Sequence, residues 1–64
     1  MKRQILIKFL TQHNCVLLRE GKKHSLYQNL DNGNFTAVPR HPDIQEATVK
    51  SICKQLGIPQ SKIN

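Results

Sequence analysis

Acidic residues are scarce in this chain. Four Asp and Glu stand against ten Lys and Arg, which leaves a formal net charge of +6 on 64 residues. So positive a field on so small a body favours polyanions: nucleic acid, an acidic protein partner or an anionic membrane surface. Tryptophan is absent, and there are only one Tyr and two Phe. No apolar run approaches the ~20 residues that span a bilayer. Met1-Lys2-Arg3 is a basic head, but Lys8 breaks the following apolar run and no small-residue cleavage site follows, so a signal peptide is not expected. The two cysteines, Cys15 and Cys53, are too few for a secreted disulfide scaffold and read as buried thiols in a reducing cytosol. Neither Cys-x-x-Cys nor a ligand spacing among His13, His24 and His41 is present, so no metal or cofactor is expected. The four acids Glu20, Asp31, Asp43 and Glu46 are likewise scattered.

What is present has the balance of a folded domain: 38% hydrophobic and 22% charged residues, without repeats or low-complexity segments. The length allows one domain, taken as 1–64. Ile5, Leu6, Phe9 and Leu10 recur at helical spacing and predict a helix near 2–13, with Ile7 off the stripe and Asn14 as a left-handed stop. Three short runs, near 15–20, 23–29 and 34–39, have strand character. Gly21-Lys22-Lys23 turns the first into the second, Asp31-Asn32-Gly33 is a hairpin signal, and Pro39 ends the third. Asp43-x-x-Glu46 resembles a capping box ahead of a helix near 46–56, whose Val49, Ile52, Cys53 and Leu56 form an apolar stripe closed by Gly57. The order is α-β-β-β-α. An α+β fold follows, with a three-stranded antiparallel sheet and both helices on one face. Ile5, Phe9, Val49, Ile52 and Leu56 are expected in the core.

Two constellations carry possible chemistry. In Gly21-Lys22-Lys23-His24, an imidazole follows two lysines at the head of a strand. Imidazole is the side chain whose unperturbed pKa suits proton transfer near neutrality, and lysines can steady a charged phosphoryl transition state. RNA supplies its own nucleophile, the 2′-OH, so a base and a few cations suffice. The competing reading makes His24 a surface residue of a basic turn. In Val38-Pro39-Arg40-His41-Pro42, two prolines stiffen a loop that presents Arg40 as a phosphate ligand and His41 as a second proton carrier. Otherwise Arg40 is solvated and His41 caps the next helix. His13, at the end of the first helix, is favoured there by the dipole. Tyr27 could stack a base, but strand alternation puts it on the face opposite His24. Lys50 and Lys54 lie one turn apart, either as a solvated face or as a track for the RNA backbone.

These pieces, from about Ile5 to Ile58, resemble the HicA-type toxins, small mRNA interferases of bacterial and archaeal toxin–antitoxin pairs. The resemblance rests on Gly21-Lys22-Lys23-His24-Ser25-Leu26-Tyr27, Asp31-Asn32-Gly33, Val38-Pro39-Arg40-His41-Pro42 and the run from Thr48 to Ile58, in that order and spacing. It implies a double-stranded-RNA-binding-domain-like fold, ribosome-independent RNA cleavage and one catalytic histidine at the head of the second strand, which maps onto His24. It also implies a cognate HicB-type antitoxin that covers the site, and it maps the family's Val-Pro-x-His segment onto Val38, Pro39 and His41. Two positions depart from the family: Lys22-Lys23 stands where Gly-Ser or Gly-Gly precedes the histidine, and Asn14-Cys15 where glycine and a large aromatic follow the first helix.

The expectation is a cytoplasmic, metal-independent endoribonuclease with His24 catalytic and Lys22, Lys23, Arg40, His41, Lys50 and Lys54 binding RNA. A non-catalytic RNA-binding module of the same fold is the alternative, since fold alone does not establish activity. An interaction protein that only binds an acidic partner is a third.

Overall fold

A computed structural model describes residues 1–60; the last four residues of the expected 1–64 domain lie outside the described residues. Helix α1 spans Arg3–Gln12, strands β1, β2 and β3 span Cys15–Glu20, His24–Asn29 and Phe35–Pro39, and helix α2 spans Glu46–Leu56. The strands pair in the order β1-β2-β3, antiparallel throughout. Ser25, Tyr27, Asn29, Thr36 and Val38 point to the buried side. Both helices lie there: Arg3 of α1 donates from Nη2 to Ser25 Oγ, while Asn29 of β2 donates to the Leu56 carbonyl of α2 and Thr36 of β3 to Gln55 Oε1. The opposite face of the sheet carries no layer among the described residues. No described helix is long and apolar enough to cross a membrane.

The core joins Leu6, Phe9 and Leu10 of α1 to Tyr27 and Val38 of the sheet and to Val49, Ile52, Cys53 and Leu56 of α2. Ile5, expected inside, is 45% exposed. Leu6, Phe9, Leu10 and half-buried His13 define the buried arc, and at about 100° per residue Ile5 falls a quarter-turn outside its centre. Ile7, on the other flank, packs partly against the core. His13 caps the end of α1 and lies against the Phe9 ring, centroids 4.4 Å apart.

Asn14 takes the left-handed conformation that reverses the chain after α1, with φ 63°. Its side chain donates to Asp31 in the β2–β3 loop at 2.8 Å. In that loop only Gly33 has positive φ. Asn32 contributes through its side chain instead, accepting from the Asn34 amide at 2.8 Å and donating to the Leu56 carbonyl at 3.0 Å. Gly57, φ 71°, closes α2 in a Schellman turn: the Ile58 amide donates to the Cys53 carbonyl and the Gly57 amide to that of Lys54. The capping box does not form. Asp43 is held in a short antiparallel bridge with Lys2, and the helix starts after Gln45 without a side-chain cap.

Candidate active site

The turn between β1 and β2 is tight because Gly21 lies against the backbone of His24. The Gly21 amide donates to the His24 carbonyl at 2.8 Å, and a Cβ at Gly21 would sit 2.8 Å from that same oxygen. His24, first residue of β2, pairs with Pro39, last residue of β3. The Arg40 amide then donates to the Lys23 carbonyl at 3.1 Å, which fastens the Pro39–Pro42 loop beside the turn. One open depression results, lined by Lys22, Lys23, His24, Arg40 and His41. All five are exposed. Five of the seven residues expected to handle RNA thus converge, although Arg40 and His41 lie well away from His24 in sequence. Lys50 and Lys54 are exposed on α2 and do not line the depression.

Arg40 is braced rather than simply solvated. Its Nη1 donates to the Gly21 carbonyl at 3.1 Å and lies 3.4 Å from Glu20 Oε1. His41 does not cap α2, whose N-cap is Gln45. Tyr27 faces the core at 8% exposure and is absent from the site, as strand alternation required.

Three residues that the sequence pattern did not single out are hydrogen-bonded together on the other side of the strands that carry the site. Arg3 donates from Nε to the Pro39 carbonyl and from Nη2 to Ser25 Oγ, both at 2.8 Å. Ser25, fully buried, donates to Glu20 Oε1 at 2.6 Å. Glu20 reaches Ser25 because β1 carries a bulge between Leu17 and Arg19, which shifts the register by one residue. The available signal was Arg3 itself, a charged residue opening the apolar arc of α1.

Among the described residues, no three His, Cys, Asp or Glu side chains assemble as a metal site. Cys15 and Cys53 are free and buried. Burial raises both thiol pKa values, and for Cys15 the nearby Asp31 and Cys53 add to the effect. Both are therefore poor nucleophiles at neutral pH. The arrangement that remains is an exposed imidazole surrounded by cationic side chains and held by backbone contacts to two neighbouring loops.

A family model described as the HicA toxin of bacterial toxin–antitoxin systems matches residues 3–58. No curated protein and no solved structure matches the chain.

Proposed function

The chain belongs to the HicA family of toxins of bacterial toxin–antitoxin pairs, and on that premise we propose that it is an endoribonuclease acting on mRNA through His24. The observation that carries this reading is the exposed His24 imidazole in a depression whose other lining side chains are Lys22, Lys23, Arg40 and His41. In the proposed reaction the RNA 2′-oxygen bonds to the adjacent phosphorus as the bond to the 5′-oxygen breaks. The 2′-hydroxyl proton is lost and the leaving 5′-oxygen gains one. His24 performs one of these transfers, as base or as acid, and His41, which lines the same depression, is the candidate for the other. Lys22, Lys23 and Arg40 offset the charge that gathers on the phosphoryl oxygens. Lys50 and Lys54 contribute at most remote backbone contacts. The step uses no metal, so cleavage survives excess chelator.

The chain's toxin–antitoxin family implies an antitoxin partner. We assign that role to a HicB-type protein that covers His24 and presents acidic groups to the lysines beside it. Such an association weakens as salt rises.

The deciding experiment is His24→Ala. An exposed imidazole leaves no core cavity, so stability should change by about 0.5 kcal/mol or less. The phosphate-binding cations remain, and RNA affinity with them. The cleavage rate should fall roughly 10²- to 10⁴-fold. Cleavage by purified His24→Ala near the wild-type rate would move the assignment to His41. Wild-type chain that binds RNA without producing fragments would establish the non-catalytic RNA-binding module instead.

A further inference from the structure

The uncovered face of the sheet has His24 at one end and an aromatic ring at the other. In β2, His24, Leu26 and Gln28 alternate outward, and Phe35 of β3 pairs with Gln28. Phe35 therefore projects on the same face as His24, and it is 59% exposed, the most exposed large apolar side chain among the described residues. Phe35 is not part of the core cluster; of the two rings in the sheet, Tyr27, on the other face, is the one that packs there. Between the two ends, Arg19 pairs with Leu26 and so also points outward. No outward position of the paired strands carries a carboxylate. Glu20, the one acid in the sheet, pairs with Ser25 on the other face, where its exposed carboxylate is engaged by Ser25 and Arg40. The face thus combines positive charge, an exposed ring and no anion, which suits a polyanion with flat bases better than an acidic protein surface.

We propose that Phe35 is a base-stacking platform that fixes the register of single-stranded RNA on the open sheet face relative to His24. The proposal rests on the nuclease reading for its substrate class and adds a contact outside the His24 depression. Four residue steps along β2 lead from His24 to Gln28, the position opposite Phe35, about 13 Å. A strand whose phosphate lies at His24 reaches Phe35 within about four nucleotides at the ~3.4 Å rise of stacked bases, and in fewer when extended. Arg19 meets the intervening backbone. Any base has a face that stacks, so Phe35 sets spacing first and base preference second.

Binding of labelled single-stranded oligoribonucleotides to the full-length chain carrying His24→Ala tests this without cleavage. Adding Phe35→Leu should weaken binding at least about fivefold, while Phe35→Tyr should retain it. An abasic site moved through the oligonucleotide should cause the same loss at one register and no further loss when combined with Phe35→Leu. In the chain with His24 intact, Phe35→Leu should broaden the set of fragment ends. Unchanged affinity with Phe35→Leu overturns the proposal, as does a loss that no abasic position reproduces. So does Phe35→Leu impairing only antitoxin binding, which would give the face to the protein partner. If the wild-type chain cuts no RNA yet the Phe35 and abasic effects coincide, the nuclease reading fails and the platform stands.

Discussion

Ser25 and Glu20 face each other across β1 and β2, and the buried Ser25 hydroxyl donates to Glu20 Oε1 at 2.6 Å while accepting from Arg3 Nη2 at 2.8 Å. One hydroxyl thereby links α1, β1 and β2 directly behind His24. Ser25→Ala removes a donor and an acceptor together and leaves half-buried Arg3 one partner short. The expected cost is about 1–3 kcal/mol, read by urea unfolding. RNA cleavage should fall further than the loss of folded chain explains, because Glu20, which lies 3.4 Å from Arg40, then loses the hydrogen bond that orients its carboxylate. Unfolding at the wild-type midpoint would show that the linkage contributes nothing.

Gly21→Ala tests the turn by sterics alone. Gly21 has no positive φ, so the backbone tolerates alanine, but the added Cβ meets the His24 carbonyl at 2.8 Å. That neighbour is backbone and cannot rotate away, so the turn or the head of β2 must shift. Overpacking of this kind costs about 1–3 kcal/mol. Cleavage should drop severalfold while RNA affinity changes little, since Lys22 and Lys23 keep their charges. A cleavage rate equal to wild type would separate the position of His24 from catalysis.

Lys23 holds the site together through its carbonyl, which accepts from the Arg40 amide, and not through its side chain. Lys23→Ala therefore preserves the loop contact and removes one cation. RNA affinity should weaken, and the slope of log affinity against log salt should shrink by about 0.7–1. The rate of bound RNA should change less than the affinity. An unaltered salt slope would place Lys23 off the phosphate path.

The two thiols give a pH dependence with a definite sign. Cys15 and Cys53 have pKa values raised in the folded chain, chiefly by burial, from the ordinary value of 9.0. The folded state holds those protons more tightly than the unfolded one. The stabilisation is thus complete below the unfolded pKa and is lost as pH rises through the folded values. Urea unfolding should show stability falling above about pH 9, and the fall should be smaller when both are replaced by Ala. At neutral pH, alkylation should require unfolding. Rapid labelling of the folded chain would contradict the burial of both.

Sequence pattern carried the architecture because the signals are local. Cys15–Glu20 and Glu46–Leu56 have the extents read from hydropathy, and the alternation Ser25, Tyr27, Asn29 against His24, Leu26, Gln28 separates Tyr27 from the site before any coordinates. Ile5 fails for a physical reason: apolar spacing bounds an arc without fixing its centre, and the centre is set by the contacts of Leu6 and Leu10. The Asp43–Glu46 capping box fails because Asp43 pairs with Lys2, a contact between distant segments. The Arg3–Ser25–Glu20 linkage depends on a one-residue bulge, which leaves no compositional trace. Phe35 is one apolar residue of a short strand in the sequence, and only the strand register sets which face it takes.

Strand order has a consequence for how the chain can be disarmed. β2 is the central strand, paired on one side to β1 and on the other to β3. β1 is an edge, with exposed Val16, Leu17 and Leu18 and a disrupted ladder. Fraying begins at edges, so β1 on one side and β3 on the other can each open while β2 keeps its remaining partner. In hydrogen exchange the amides of β2 should therefore be among the last to be replaced by deuterium, in step with global unfolding. Opening of β1 leaves His24 beside Pro39, whereas opening of β3 from its Pro39 end separates them. On the proposed nuclease reading, a partner that grips β3 could therefore disarm the chain by parting Pro39 from His24 while the rest of the fold stays intact.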